Sequence, residues 1–286
     1  MLNSKYLFII CGISFLLSSC NSWDKPEPTP AYIYIPEIKL ATKPYLGTLK
    51  QDFTESWIYD NGQLLGAFPV PGLVPIIGTG THTLTFFAGI HNFGIKSQPV
   101  LYPLLDKLEL SINLVPGKID SIVPVVKYRD DITAAIIEDF EGSSSTFSTK
   151  YTTKGLELTT DSAFEGKQCG IFRLDTINPI ITVGSNDIST FPTNGRRVYI
   201  ELHFKAEIKW LLSLKGFDNT DELTDPIEVF NPSAEWKKVY IEITDQVQAS
   251  EFQNHKIILQ AGLPIDGSGF LKTEGRVWID NFKVLY

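Results

Sequence analysis

In LELSINL, Leu108, Leu110, Ile112 and Leu114 alternate with Glu109, Ser111 and Asn113. This two-residue period is that of a strand with one face on a core and the other in water. A looser alternation in AYIYIPEIKL (31–40) predicts another strand. In ESWIYDNGQLLGAF, Asp60-Asn61-Gly62 demands a tight turn, because Asn-Gly supplies positive φ at little steric cost. SWIY is therefore one strand and QLLGAF its hairpin partner. A turn over Gly78–Thr81 precedes the strand HTLTFFAGI, and two more strands flank Pro116-Gly117.

The same pattern continues to the end of the chain. IIEDFEG, GLELTT, KQCGIFRL, RRVYIELHFKA, KWLLSLKGF, KKVYIEITD, HKIILQAGL and EGRVWIDNFKVLY read as strands separated by turn residues, a number that suits a sandwich. ITAAIIEDF (132–140) fits a helix or a strand, and no other segment reads as a helix of three turns. The strand pattern predicts an all-β fold class with two β-sandwich domains; Phe140-Glu141-Gly142 and WIDNFKV make the second resemble a jelly roll, and Leu17-Ser18-Ser19-Cys20 resembles the end of a lipoprotein signal peptide, followed by a short Pro-rich tether. The expected boundaries are a signal at 1–19, a lipidated cysteine and tether at 20–30, a first sandwich at 31–128, a linker at 129–135 and a jelly roll at 136–286.

The start of the chain breaks the β pattern. Lys5 precedes an apolar run from Tyr6 to Leu17, the form of an export signal. That run is too short to cross a bilayer core, which needs about twenty residues. Leu17-Ser18-Ser19-Cys20 resembles the lipobox of bacterial lipoproteins, in which the cysteine thiol is joined to diacylglycerol after cleavage of the signal. The resemblance implies lipidation at Cys20, and several acyl chains hold a soluble domain at a membrane durably. Pro26, Pro28 and Pro30 make the following stretch a stiff tether. Its acidic residues, Asp24 and Glu27, are loosely similar to surface-export signals of Bacteroidota lipoproteins. The expected location is the outer membrane, at the cell surface in preference to the periplasmic face.

Composition narrows the function classes. With Cys11 in the signal and Cys20 lipidated, Cys169 is alone and no intrachain disulfide is available. Its setting, KQCGIFRL, makes it a buried small hydrophobe. A formal net charge of −8 argues against nucleic acid. The sequence contains no HExxH, GxSxG, phosphate-cradling glycine loop or metal-spaced Cys/His set. The four histidines, 82, 91, 203 and 255, are scattered; His82 and His203 lie on alternating strands and read as structural. No enzymatic activity is expected.

Two family resemblances add to this. WIYDNGQLLG followed by GTGTHTLTFFAGI resembles the small PEGA-like β-sandwich domains, whose usual role is attachment or spacing. The segment 91–106, HNFGIKSQPVLYPLLD, departs from that compact pattern as a candidate contact loop. In the second half, Phe140-Glu141-Gly142 near the start, WIDNFKV at the end and the Trp236-x-x-Val239 strand resemble galactose-binding-like jelly rolls, the architecture of many carbohydrate-binding modules. That resemblance implies a candidate structural calcium site at Asp139, Glu141 and Asp280, since calcium takes six to eight oxygens. The competing reading gives Asp280 turn-capping hydrogen bonds and leaves Glu141 solvated.

Sugar binding needs aromatic faces against pyranose C–H groups and planar polar side chains for the hydroxyls. Trp210, Asn219, Asp221 and Asn231 are the candidate ligand-binding residues, whereas Trp236 and Trp278 read as packing residues. The leading functional expectation is a non-catalytic outer-membrane lipoprotein serving as an accessory subunit of a β-barrel complex for transport, secretion or barrel assembly. Its partners would be an outer-membrane β-barrel or other lipoproteins, met through the 91–106 loop and the apolar phrase LVPIIGTG; the alternative for LVPIIGTG and VLYPLLD is that they close the core. The alternative is a surface glycan-binding lipoprotein.

Overall fold

A computed structural model describes residues 27–41, 43–148 and 152–286. The expected signal, Cys20 and the first part of the tether lie outside the described residues. The first ten strands are β1 (Ala31–Ile35), β2 (Lys39–Leu40), β3 (Glu55–Asp60), β4 (Gln63–Pro69), β5 (Gly72–Ile76), β6 (Gly80–His91), β7 (Pro99–Leu101), β8 (Leu108–Leu114), β9 (Ile119–Ser121) and β10 (Val125–Val126). They form a sheet with path β4-β3-β6-β7, in which β8 also pairs with β6, a smaller sheet β5-β1-β9, and the pair β10-β2. The two larger sheets close on a core of Ile33, Ile35, Val74 and Ile76 against Ile58, Leu84, Phe86 and Leu114. The alternation read from LELSINL appears as Leu114 buried, Leu108, Leu110 and Ile112 half-buried, and the polar residues between them exposed. The hairpin turn between β3 and β4 has Asn61 and Gly62 at φ 48° and 84°, the conformation that Asn-Gly favours.

The second set comprises β11 (Ala134–Glu138), β12 (Glu157–Thr159), β13 (Cys169–Asp175), β14 (Ile180–Gly184), β15 (Tyr199–Ala206), β16 (Trp210–Phe217), β17 (Glu222–Phe230), β18 (Ser233–Glu242), β19 (Asn254–Gly262), β20 (Ile265–Asp266), β21 (Gly269–Phe270) and β22 (Glu274–Leu285). One short helix, α1 (Thr244–Ala249), follows β18. A six-stranded sheet with path β12-β13-β22-β15-β18 has β11 paired to β22, and it faces a four-stranded sheet, β14-β19-β16-β17. Their inner faces bury Phe172, Leu202, Phe204, Leu212, Leu259, Ile279 and Phe282 in one core, the two-layer arrangement of a sandwich. ITAAIIEDF resolves as strand: β11 runs antiparallel to the last strand, Glu138 opposite Phe282.

Alternation on the six-stranded sheet sends a second row of side chains to its outer face. At one end the first unit covers that row. Tyr102, Leu104, Leu105 and Tyr128 pack with Tyr199, Tyr240 and Leu285 in a shared apolar cluster. Within this seam Glu201 accepts hydrogen bonds from Tyr102 Oη at 2.5 Å, Tyr128 Oη at 2.7 Å and Lys238 Nζ at 2.9 Å. Lys283 donates to the Thr48 carbonyl at 3.0 Å. Main chain joins the units too: Phe93 N–H donates to Tyr240 O at 2.8 Å, and Glu242 N–H to Asn92 Oδ1 at 3.1 Å. In the 91–106 loop Ile95 is exposed, whereas the apolar stretch 100–106 takes the core-closing alternative. Tyr102, Leu104 and Leu105 are buried against the chain's own second unit, because the outer face of that sheet carries apolar and paired polar groups that need a cover.

Candidate functional site

The loop from Asp161 to Gln168 crosses the middle of the same outer face. Its course is fixed by two carboxylates: Asp280 accepts the amides of Phe164 and Glu165 at 3.0 and 3.1 Å, and Glu141 accepts those of Lys167 and Gln168 at 2.7 and 3.0 Å. Thr48 of the first unit donates to Glu165 in this loop. The result places the Phe164 ring flat over the His203 imidazole, with centroids 3.9 Å apart and planes at 19°. The Trp236 indole sits beside it at 5.7 Å and 57°, held by its N–H donating to Ser162 O at 3.1 Å.

These rings form one wall of a groove of about 530 Å³ between the two units. Lys237, Lys238, Val239 and Tyr240 continue that wall along β18, and Lys50, Gln51, Asp52, Thr54, His91, Gly94 and Lys96 supply the other. His91 is braced by Glu55 at 2.7 Å. Gly94 turns the chain at φ +68° where a Cβ would lie 3.5 Å from Val239, a conformation that glycine adopts without strain. Burial, with Lys238 nearby, drives the His203 pKa down to about 2, so the imidazole beneath Phe164 is neutral. The groove thus joins half-buried aromatic faces to polar side chains, the mixture by which small-molecule sites combine contact area with orientation.

The residues singled out from the sequence are placed differently. Trp210 is only 2% exposed and stacks on Phe230 at 4.3 Å inside the core, so its indole is closed to a ligand; this corrects the expectation. Asn219 and Asp221 lie in the β16–β17 turn and Asn231 follows β17, all three exposed. The nine residues of β17 hold Asn231 roughly 30 Å from the turn that carries Asn219 and Asp221, so the three do not converge on one site.

The three calcium candidates are each engaged with main chain. Asp139 accepts the Glu141 amide at 3.1 Å. The Gln168 and Lys167 amides hold the Glu141 carboxyl below its ordinary range. Asp280 is buried, and burial pushes it up to about 6 against the pull of the amides of Glu165, Asn281 and Phe164. Among the described residues no group of three or more His, Cys, Asp or Glu side chains could hold a metal ion. The calcium expectation at Asp139, Glu141 and Asp280 is corrected to this extent: the three carboxylates form no such group, and Glu141 and Asp280 accept N–H groups of the 161–168 loop. Cys169 is fully buried, and burial, with Asp280 nearby, raises its thiol to about 12.

Sequence reasoning took Trp236 for packing alone and did not reach Phe164, Lys50, Lys96 or Lys237. A Trp in a Trp-x-x-Val strand could have suggested the first. The others come from separate loops with no shared pattern.

No family model matches the chain, and no curated protein sequence matches it. Among solved structures, it is similar to a xylan-binding domain of the family 22 carbohydrate-binding modules from Paenibacillus barcinonensis, at 15% identity over 53% of this chain and 93% of that one, with a TM-score of 0.37. A carbohydrate-binding module of the β-sandwich superfamily matches at 13% identity over 81% of this chain and 84% of that one, TM-score 0.40. A family 29 carbohydrate-binding module from Piromyces equi matches at 14% identity over 54% and 91%, TM-score 0.34.

Proposed function

We propose that this protein binds a glycan without transforming it, in the groove between its two units. The observation that carries this reading is the Phe164–Trp236 pair: two half-buried aromatic rings side by side on the wall of an open groove, with Gln51, Asp52 and Thr54 across from them. Aromatic faces take up the apolar C–H side of a sugar ring, and the polar groups opposite are placed for its hydroxyls. The anchor belongs to the same proposal: lipidation at Cys20 and a location on the outer face of an outer membrane would hold this groove toward external polysaccharide.

The test is affinity electrophoresis of the full-length protein against a panel of soluble polysaccharides, with the Trp236→Ala variant beside it. Retardation by at least one polysaccharide, lost in the variant, supports the reading. Unretarded migration across the panel ends it.

A different observation favours a second reading, that of an accessory subunit docked on a β-barrel. On the outer face of β5-β1-β9, Tyr34 stands opposite Leu73, and Tyr32 opposite both Pro75 and Ile119. Leu73, Ile77 and Ile119 are 46%, 66% and 59% exposed. A contiguous apolar face of this kind marks an interaction site. A stoichiometric barrel that copurifies in mild detergent, and is lost on Leu73→Asp with Ile119→Asp, would establish it.

A further inference from the structure

We propose that the glycan taken by the groove is an acidic one, a polymer carrying uronate carboxylates. This rests on the glycan reading above and adds the class of sugar. The chain as a whole carries a formal −8, yet the groove is lined by Lys50, Lys96, Lys237 and Lys238 against one carboxylate, Asp52.

Lys238 is already spoken for, since its ammonium pairs with Glu201 at 2.9 Å behind the wall. The other three are exposed. Among the described residues none of them has a carboxylate within ion-pair distance; elsewhere exposed Lys39, Lys107 and Lys118 pair with Glu37, Glu109 and Asp120, while exposed Lys167 and Lys209 have no such pair. The unpaired lysines come from three segments: Lys50 before β3, Lys96 in the β6–β7 loop and Lys237 on β18. The seam between the two units is what brings them to one groove.

A second groove of similar size shows the contrast. It holds about 500 Å³ beside α1 and is lined by Asp225, Asp245 and Glu251 with no lysine or arginine. An anion entering there would meet like charge, and one entering the seam would meet a lining in which lysines outnumber carboxylates. The rings are suited to the C–H face of the sugar and the lysines to carboxylates at its edge. Such charged contacts at a half-open site govern specificity and the rate of encounter, and they weaken with salt.

The experiment uses the full-length protein and a matched pair of probes, polygalacturonate and the same polymer with its carboxyls methyl-esterified, followed by calorimetry at low and at high salt. We expect the acidic polymer to bind roughly tenfold more tightly at low ionic strength, and the difference to collapse at about 0.5 M salt. The triple variant Lys50→Ala/Lys96→Ala/Lys237→Ala, whose positions are exposed and outside the core, should lose that preference while keeping the weak affinity for the esterified polymer. Trp236→Ala should lose both. Equal binding of the two polymers, or a preference untouched by the triple variant, overturns the acidic assignment and leaves the glycan reading standing. Equally tight binding of polyglutamate overturns it as well, because the groove would then read charge and no sugar. Absence of binding to both polymers overturns the acidic assignment, and failure across the neutral panel too would remove the glycan reading beneath it.

Discussion

Lys238 Nζ lies 2.9 Å from Glu201 Oε2, with the two side chains 2% and 0% exposed, at the seam where the first unit covers the second. Glu201 also takes the hydroxyls of Tyr102 and Tyr128 and stands 3.9 Å from Lys283. One carboxylate from β15 thus organises two ammoniums of the second unit and two phenols of the preceding one. Burial would raise the Glu201 carboxyl, but Lys238 and Lys283 outweigh it and hold the group at about 2.

Glu201→Leu should therefore be among the most damaging single changes. It strands two buried ammoniums, and breaking a buried pair from one side costs about 3–5 kcal/mol. Urea denaturation monitored by tryptophan fluorescence should show that loss, whereas Tyr102→Phe, which removes one hydroxyl, should cost about 1 kcal/mol.

The same carboxylate sets an acid limit. Its folded value of about 2 lies below the ordinary 4.5, so the stability it confers is full above pH 4.5 and is lost as pH falls toward 2. Protein unfolded by urea at a series of pH values should show this loss in the parent, and Glu201→Gln should flatten it.

At milder acidity two histidines and one carboxyl act in opposite directions. His203, lowered to about 2 by burial, stays neutral in the fold while the unfolded chain takes up a proton, so its contribution falls as pH drops below 6.5. His255, lowered by burial, acts in the same direction. Asp280, raised to about 6, gives its stability below pH 3.8 and loses it as pH rises through 6. Stability to urea between pH 6.5 and 4.5 should thus fall more steeply in Asp280→Asn than in the parent, and less steeply in His203→Leu.

Cys169 should resist alkylation. A thiol with no exposure and a pKa pushed up to about 12 offers almost no thiolate at neutral pH. Mass spectrometry after iodoacetamide should find this residue unmodified in native protein and modified in urea.

Gly170→Ala tests the packing beneath that cysteine. A Cβ there would lie 2.8 Å from the Phe140 ring and 2.9 Å from Leu156, an overpacking that costs about 1–3 kcal/mol. Thermal unfolding should show the midpoint lowered by several degrees.

By itself the sequence determined whatever depends on neighbours along the chain. Asn61-Gly62 dictated the hairpin because its backbone preference is local, and the alternation of LELSINL dictated which side of β8 met the core. The same reasoning passed over β17, whose residues are mostly exposed and include Pro226. It is an edge strand, and an edge strand with one partner has little burial to impose a pattern. Only the tertiary structure decided the groove and the seam. Alternation put Trp210 and Trp236 equally on strands, and only the packing of two sheets sent one into the core and left the other on the outer face. Lys50, Lys96 and Lys237 are separated by 46 and 141 positions in the chain; they meet because the first unit docks on the second, where Tyr102 and Tyr128 add their hydroxyls to buried Glu201.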